Sequence, residues 1–340
     1  MKIAITAALL GACALPALAD IPEGLHFAHH DWEIACDNTH TCRAVGYYQS
    51  EEPGTPAASV LLERAAGPGR PVTATLMLSS FDGEYWVPKA GTVAMRVDGH
   101  ALGHVTLGGE DMQGTLSAAQ ARALVKAVAG RGVVQWRDGG YVWTLSSHGA
   151  AAVLLRMDAL QGRLGTPGAL LRKGSRAEDS VLPALPPPEV RRAETGRDAV
   201  DLPPATRAAL MRELRGTLEE GSCEALGPDE LSAVPLSAGR LLVYGRCWAG
   251  AAGTGTAYWV AGRAAPFKPV LVTTDGSDHA PGMIHATHIM SGCWESTEWV
   301  WDGRRFALTR RATSGRCGTA GFGTPWNLPT FVAKVVPRPR

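Results

Sequence analysis

No Gly-x-Ser-x-Gly, His-Glu-x-x-His or P-loop occurs in these 340 residues, and no Gly-x-Gly-x-x-Gly follows a strand pattern to open a helix. These absences remove a nucleophile elbow, a helix-borne zinc protease site and the usual phosphate cradles of nucleotide enzymes. No Cys-x-x-Cys is present, and the spacings between neighbouring cysteines fit no zinc ligand pattern. Nothing in these patterns calls for a cofactor. A net charge of +1 gives no long-range pull toward nucleic acid or an anionic membrane. Basic residues are scattered, and the densest group, Arg191, Arg192 and Arg197, is interleaved with Glu189, Glu194 and Asp198 as a solvated segment would be. Beyond the first residues no apolar run approaches the roughly 20 residues that span a bilayer.

What the chain does have begins at its first residue. Met1-Lys2 precedes an apolar run over residues 3–15, and Pro16-Ala17-Leu18-Ala19 stands ahead of Asp20. This is the pattern of a secretory signal peptide, residues 1–19, with an Ala-x-Ala cleavage site. Leu10-Gly11-Ala12-Cys13 offers a second reading, a lipobox in which Cys13 is lipidated. Both place the mature protein outside the cytoplasm, periplasmic or secreted, and leave Cys36, Cys42, Cys223, Cys247, Cys293 and Cys317. In an oxidising compartment these are disulfide candidates. Six cysteines allow fifteen connectivities. Nearness in sequence groups Cys36 with Cys42, Cys223 with Cys247, and Cys293 with Cys317. On a chain-entropy estimate the first loop contributes roughly 2 kcal/mol and each longer one about 3.5 kcal/mol.

Length suggests two domains. In residues 20–165 the patterns are mainly strands with two helices. Asp37-Asn38-Thr39-His40-Thr41 reads as the turn of a hairpin tied by Cys36 and Cys42, and further strands are expected over 59–64, 72–78, 92–97 and 104–107. A helix with Ser117 as N-cap places Ala121, Leu124, Val125 and Val128 on one face and stops at Gly130. A hairpin around Asp138-Gly139, read with a two-residue turn, sets Trp136 opposite Tyr141 with Val134 and Trp143 on the same side, as a core face rather than a ligand platform. Helical spacing returns over 149–160. Prolines at 183, 186, 187, 188, 203 and 204 mark residues 166–204 as an extended linker.

Residues 205–340 open with a helix over 205–220 striped by Leu210, Met211, Leu214 and Leu218, followed by strands over 240–248, 256–261, 268–273, 283–290, 297–301 and 304–310. Gly253-Thr254-Gly255 reads as a hairpin turn. A two-residue turn at Asp302-Gly303 pairs Trp299 with Phe306. The expected fold is α+β and β-rich: two disulfide-bonded domains of antiparallel strands with a few packed helices.

The stretch Asp31-Trp32-Glu33-Ile34-Ala35-Cys36-Asp37-Asn38-Thr39-His40-Thr41-Cys42-Arg43-Ala44, with Trp299-Val300-Trp301-Asp302-Gly303-Arg304-Arg305-Phe306-Ala307-Leu308 and the later Cys317-Gly318, resembles the two signatures of an exported proteobacterial family, domain of unknown function 1176. That resemblance implies fold and compartment and no activity. Ser291-Gly292-Cys293-Trp294-Glu295 departs from the Gly-Asp-Cys-Gly ending the family often carries ahead of its second signature. The first domain also resembles invasion-associated locus B proteins through its early tryptophan near cysteine, Val87-Pro88-Lys89-Ala90-Gly91, Val97-Asp98-Gly99 and Ser117-Ala118-Ala119-Gln120.

Candidate chemistry is sparse. His26, His29 and His30 with Asp31, and His279, His285 and His288 near Asp275 and Asp278, carry good zinc or copper donors, but a separation of three puts His285 and His288 on opposite faces of a strand. The first group lies in a segment expected to be mobile. Glu295 with Glu298, or Asp275 with Asp278, are the carboxylate pairs that an envelope hydrolase would use. Trp294 and Trp326, in expected loops, are the rings placed to stack on a ligand. The leading expectation is a non-catalytic binding protein for an envelope protein, a cell-wall component or a host component, with an envelope hydrolase and a metal binder as alternatives.

Overall fold

The computed structural model describes residues 24–48, 56–80, 91–108, 113–250, 253–290, 293–316 and 326–337. Residues 1–19, expected to be a signal peptide and including Cys13, residues 87–90 and Cys317-Gly318 lie outside them.

Strands β1 (Leu25–His29), β2 (Trp32–Cys36), β3 (Cys42–Tyr47), β4 (Pro56–Arg64) and β5 (Thr73–Ser80) run as an antiparallel meander. After the hairpin β6 (Thr92–Val97) and β7 (His100–Thr106), β8 (Gln113–Thr115) returns to β5 and completes a six-stranded sheet. Helix α1 (Ala118–Ala129) leads into β9 (Val134–Asp138) and β10 (Tyr141–Leu145), which join β6 and β7 in a second sheet, and α2 (Ala150–Leu160) follows. Ser117 caps α1 in a reciprocal box with Gln120, and Ala121, Leu124, Val125 and Val128 form its buried face. Both helices, Trp32, Trp136 and Trp143 share one apolar core.

The second half holds β11 (Glu189–Arg192), α3 (Pro204–Arg215), β12 (Ser232–Pro235), β13 (Arg240–Gly250), β14 (Gly253–Gly262), β15 (Val270–Gly276), β16 (Asp278–Ala280), β17 (Met283–Met290), β18 (Cys293–Trp301), β19 (Phe306–Thr313), β20 (Leu328–Val332) and β21 (Lys334–Pro337). Strands β12 to β15 and β16 to β20 form two antiparallel sheets, and β21 pairs in parallel with β11. The fold is the expected β-rich one, with three helices among the described residues.

Cys36 and Cys42 face each other across the β2–β3 ladder and are bonded, with Cα atoms 4.0 Å apart. Cys223, in the loop after α3, is bonded to Cys247 of β13. Cys293 is also disulfide-bonded.

Both expected tryptophan hairpins keep their faces but shift register by two. Trp136 pairs with Trp143, because Gly139-Gly140 rather than Asp138-Gly139 makes the turn. Trp301, not Trp299, pairs with Phe306. There the Asp302 carboxylate accepts the Arg304 and Arg305 amides and widens the turn to four residues. Side chains alternate with a period of two, so a two-residue shift leaves each ring on the predicted side. Trp136 and Trp143 are buried, as core residues should be. Helix α3 ends at Arg215 rather than 220, where the Thr217 hydroxyl and amide both bond to the Leu214 carbonyl.

The proline-rich stretch is extended but not free. It carries a 3-10 turn at Glu178–Ser180 and the strand β11. Its first part is held by a buried polar network. Arg163 is fully buried and donates to Gln161, to the carbonyls of Ala65 and Gly67, and to Glu178. Buried Arg64 donates to the Gly168 carbonyl and faces Asp158, whose other oxygen accepts the amides of Leu170 and Leu171. Removing Arg163 takes away the donor to the Gln161 side-chain oxygen and the Ala65 and Gly67 carbonyls and leaves an uncompensated gap in a buried charged network, the expensive case. Arg163→Leu is therefore expected to lower the unfolding free energy by about 3–5 kcal/mol. Urea denaturation measures the loss, and faster hydrogen exchange over residues 161–182 locates it.

Candidate functional site

The turn between β1 and β2, the end of α1 and the start of α2 enclose a surface cleft of about 490 Å³. His29, His30, Arg131, Ser147 and His148 line it. Val128, Ala129, Ala151 and Ala152 supply its apolar lining. The His30 ring stacks on His148 with centroids 3.7 Å apart and lies 4.2 Å from His29.

Local backbone geometry presents these side chains. Arg131 has φ 63° and occupies the left-handed position that glycine usually fills after a helix, while the Gly132 amide bonds back to Ala127. His30 is also left-handed, at φ 52°. Gly149, at φ 98°, caps α2 without a side chain, and a Cβ there would meet the His29 carbonyl oxygen at 1.9 Å. Only glycine lets the two loops approach so closely.

The walls are fixed from behind. Asp31 is buried, its amide bonds to the His148 carbonyl at 3.1 Å and its carboxylate accepts the Ser146 hydroxyl at 2.6 Å. Trp32 donates its indole N–H to the Ser146 carbonyl. Arg316 donates to the His30 carbonyl at 2.8 Å and pairs with Asp31.

Other candidates are dispersed. Trp326 is not a loop ring open to solvent: it is 3% exposed, donates to the Ser59 hydroxyl and packs with Tyr47, Met77 and Leu328. Trp294 lies on β18 rather than in a loop, half-buried opposite Ile289. His26 and His29 lie on β1, which pairs with β2 along its whole length, and His30 stands in the turn that follows. The second histidine group is split: the His279 ring lies tilted against Tyr244, His288 stacks on Trp248, and His285 pairs with Asp278 across β16 and β17. Glu295 and Glu298 point to opposite faces of β18, and Glu298 pairs with Arg310. Asp275 accepts the Trp248 indole N–H. Among the described residues no group of three or more His, Cys, Asp or Glu side chains is arranged to hold a metal ion. No helix among them is long and apolar enough to cross a membrane. Sequence reasoning reached His29 and His30 and missed Arg131, Ser147 and His148. The local signals were Gly130-Arg131-Gly132 closing one helix and Ser146-Ser147-His148-Gly149 opening the next.

The family described as "Protein of unknown function (DUF1176)" matches residues 26–333. The chain belongs to that family. Its two signature stretches hold the bonded pair Cys36–Cys42 and the β18–β19 hairpin. This DUF1176 chain is also similar to the uncharacterized protein YpfG of Escherichia coli strain K12, with 27% identity over 342 residues, covering 88% of this chain and 92% of the relative. No solved structure matches it.

One strand of this DUF1176 chain, β2, carries a deeply buried carboxylate. Glu33 is 2% exposed and accepts the Tyr47 hydroxyl at 2.5 Å, the His26 ring nitrogen at 2.7 Å and the Arg316 amide at 2.7 Å. Gly315 makes the last contact possible, because a Cβ there would stand 2.5 Å from Glu33 Oε1. Burial pushes the Glu33 carboxyl up, but the three donors outweigh it and hold it below its ordinary 4.5. The bond to Glu33 raises His26 above 6.5 against its own burial. Burial, with the Glu33 charge, drives the Tyr47 phenol well above its usual range.

The signs give a stability window. The Glu33 contribution is complete above pH 4.5 and is lost as pH falls through its lowered folded value. The His26 contribution is complete below 6.5 and is lost as pH rises through its raised folded value. Urea unfolding across pH is expected to show a maximum between these limits. Glu33→Gln should lower that maximum by about 1–3 kcal/mol and flatten both sides.

Proposed function

We propose that this protein is an exported, non-catalytic binding protein whose ligand is an envelope or host component and whose binding site is the cleft of His29, His30, Arg131 and His148. One observation carries the reading. The cleft brings together three histidines and an arginine, held from behind by bonds to Asp31, Ser146 and Arg316, and among the described residues no carboxylate lines it to complete an acid–base pair. Fixed donors beside an apolar lining suit recognition. The disulfides fit an oxidising, extracytoplasmic compartment. We place the mature chain in the periplasm or outside the cell on its leader, residues 1–19. The same reading divides it into two units joined by residues 166–204, in keeping with separate apolar cores on either side of that stretch.

Titration calorimetry of the mature protein with soluble peptidoglycan fragments and with envelope lipid vesicles tests this reading. Saturable binding is expected for one of these, reduced about tenfold or more in a His30→Gln/His148→Gln variant whose thermal midpoint is unchanged, as loss of about 1.4 kcal/mol of contact requires. Release of cleaved fragments would instead make the protein a hydrolase.

A further inference from the structure

We infer that the group received by this cleft is a phosphate ester, a conclusion that rests on reading the cleft as the binding site. His29, His30, His148, Arg131 and Ser147 all line the same space of about 490 Å³, and the three imidazoles sit together, His30 3.7 Å from His148 and 4.2 Å from His29. All five groups can donate, and Arg131 is positive at every physiological pH. Among the described residues no Asp or Glu stands in the lining. Asp31 is buried behind the wall and spends its oxygens on the Ser146 hydroxyl and the Arg316 guanidinium. Asp98, outside the lining beside Gly132, accepts the Val133 amide. The described lining residues thus present charge of one sign.

That sign rejects a divalent cation, because Arg131 would stand beside it without a compensating anion. It also favours phosphate over carboxylate. A carboxylate offers two oxygens in one plane, whereas a phosphate monoester offers three terminal oxygens and a diester two terminal and two ester oxygens, spread tetrahedrally toward donors on several sides. The cleft is larger than a phosphate group, and Val128, Ala129, Ala151 and Ala152 add apolar surface next to the donors. The phosphate thus belongs to a larger molecule whose body covers that surface, such as a phosphorylated glycan or a lipid headgroup.

NMR spectra of the imidazole nitrogens, recorded on the mature protein, give the test. Inorganic phosphate and glycerol 3-phosphate should shift His29, His30 and His148 saturably, and acetate should do so at least tenfold more weakly. Arg131→Gln should weaken phosphate binding about tenfold, as loss of one charge-assisted hydrogen bond does. Because Arg131 is exposed, its thermal midpoint should stay unchanged. Sedimentation with phosphatidylglycerol vesicles separates the two sources: co-sedimentation lost in Arg131→Gln assigns a lipid headgroup, and binding of the soluble ester alone assigns a phosphorylated solute. Unmoved signals with phosphate, equal affinity for acetate, or wild-type affinity in Arg131→Gln overturns the inference. If phosphate fails while peptidoglycan fragments still bind and lose affinity in the His30→Gln/His148→Gln variant, the phosphate assignment falls and the binding-protein reading stands. If phosphate binds but no envelope ligand competes with it, the failure lies with that reading.

Discussion

A carboxylate as deeply buried as Glu33 persists only where donors replace the water it has lost. Its three donors come from separate parts of the chain: His26 from β1, Tyr47 from β3, and the Arg316 amide from the segment that leaves β19. The requirement that these meet at one point fixes much of the architecture. It holds β1 against β2 and brings the end of the last large hairpin onto the first sheet. It also puts the Arg316 guanidinium behind the cleft, where it bonds to the His30 carbonyl and pairs with Asp31. Asp31 in turn holds Ser146 and the backbone of His148. The cleft walls are therefore linked, bond by bond, to a carboxylate they do not touch.

Much of the fold could be read from local chemistry. The capping box at Ser117, the face of α1 and the alternation in both tryptophan hairpins are decided within a few residues, and they hold. Register was less legible, because it turned on which of two adjacent turn placements the backbone adopts, and on a carboxylate–amide contact at Asp302 that a Gly-containing dipeptide does not announce. Parity survived the error because a shift of two preserves sheet face. Trp326 shows the opposite limit. Its surroundings in sequence are loop-like, yet it is buried by Ser59, Tyr47 and Met77, all distant in the chain. Burial of that kind follows from tertiary contact and has no local signal.

The proline-rich stretch makes the same point from the polar side. Proline composition correctly excludes long helices and central strands there. It says nothing about anchoring, which comes from Arg163, Arg64, Asp158 and Glu178 meeting across some hundred positions of sequence. Beyond this anchor, Val190 and Ala193 are buried, and β11 takes β21 as its parallel partner. Segments near both ends of the second half are thereby brought together. The stretch is thus a strap anchored by polar contacts at its start and by strand pairing further on.

These constraints also bear on recognition. A binding site formed by exposed histidines and an arginine ordinarily loses affinity to the entropy of ordering long side chains and mobile loops. Here the loops are already ordered: Gly149 allows contact with His29, two left-handed residues aim Arg131 and His30, and Asp31, Trp32 and Arg316 immobilise the backbone behind them. Left-handed conformations at non-glycine residues cost about 1–3 kcal/mol each and persist where the surrounding structure over-determines them. Two such residues in the wall of one cleft mark it as a place where conformational stability has been given up to fix the direction of an imidazole and a guanidinium. Strain in the cleft wall, with the compensating bonds buried behind it, is the arrangement that the proposed binding role calls for, a site organised before its ligand arrives.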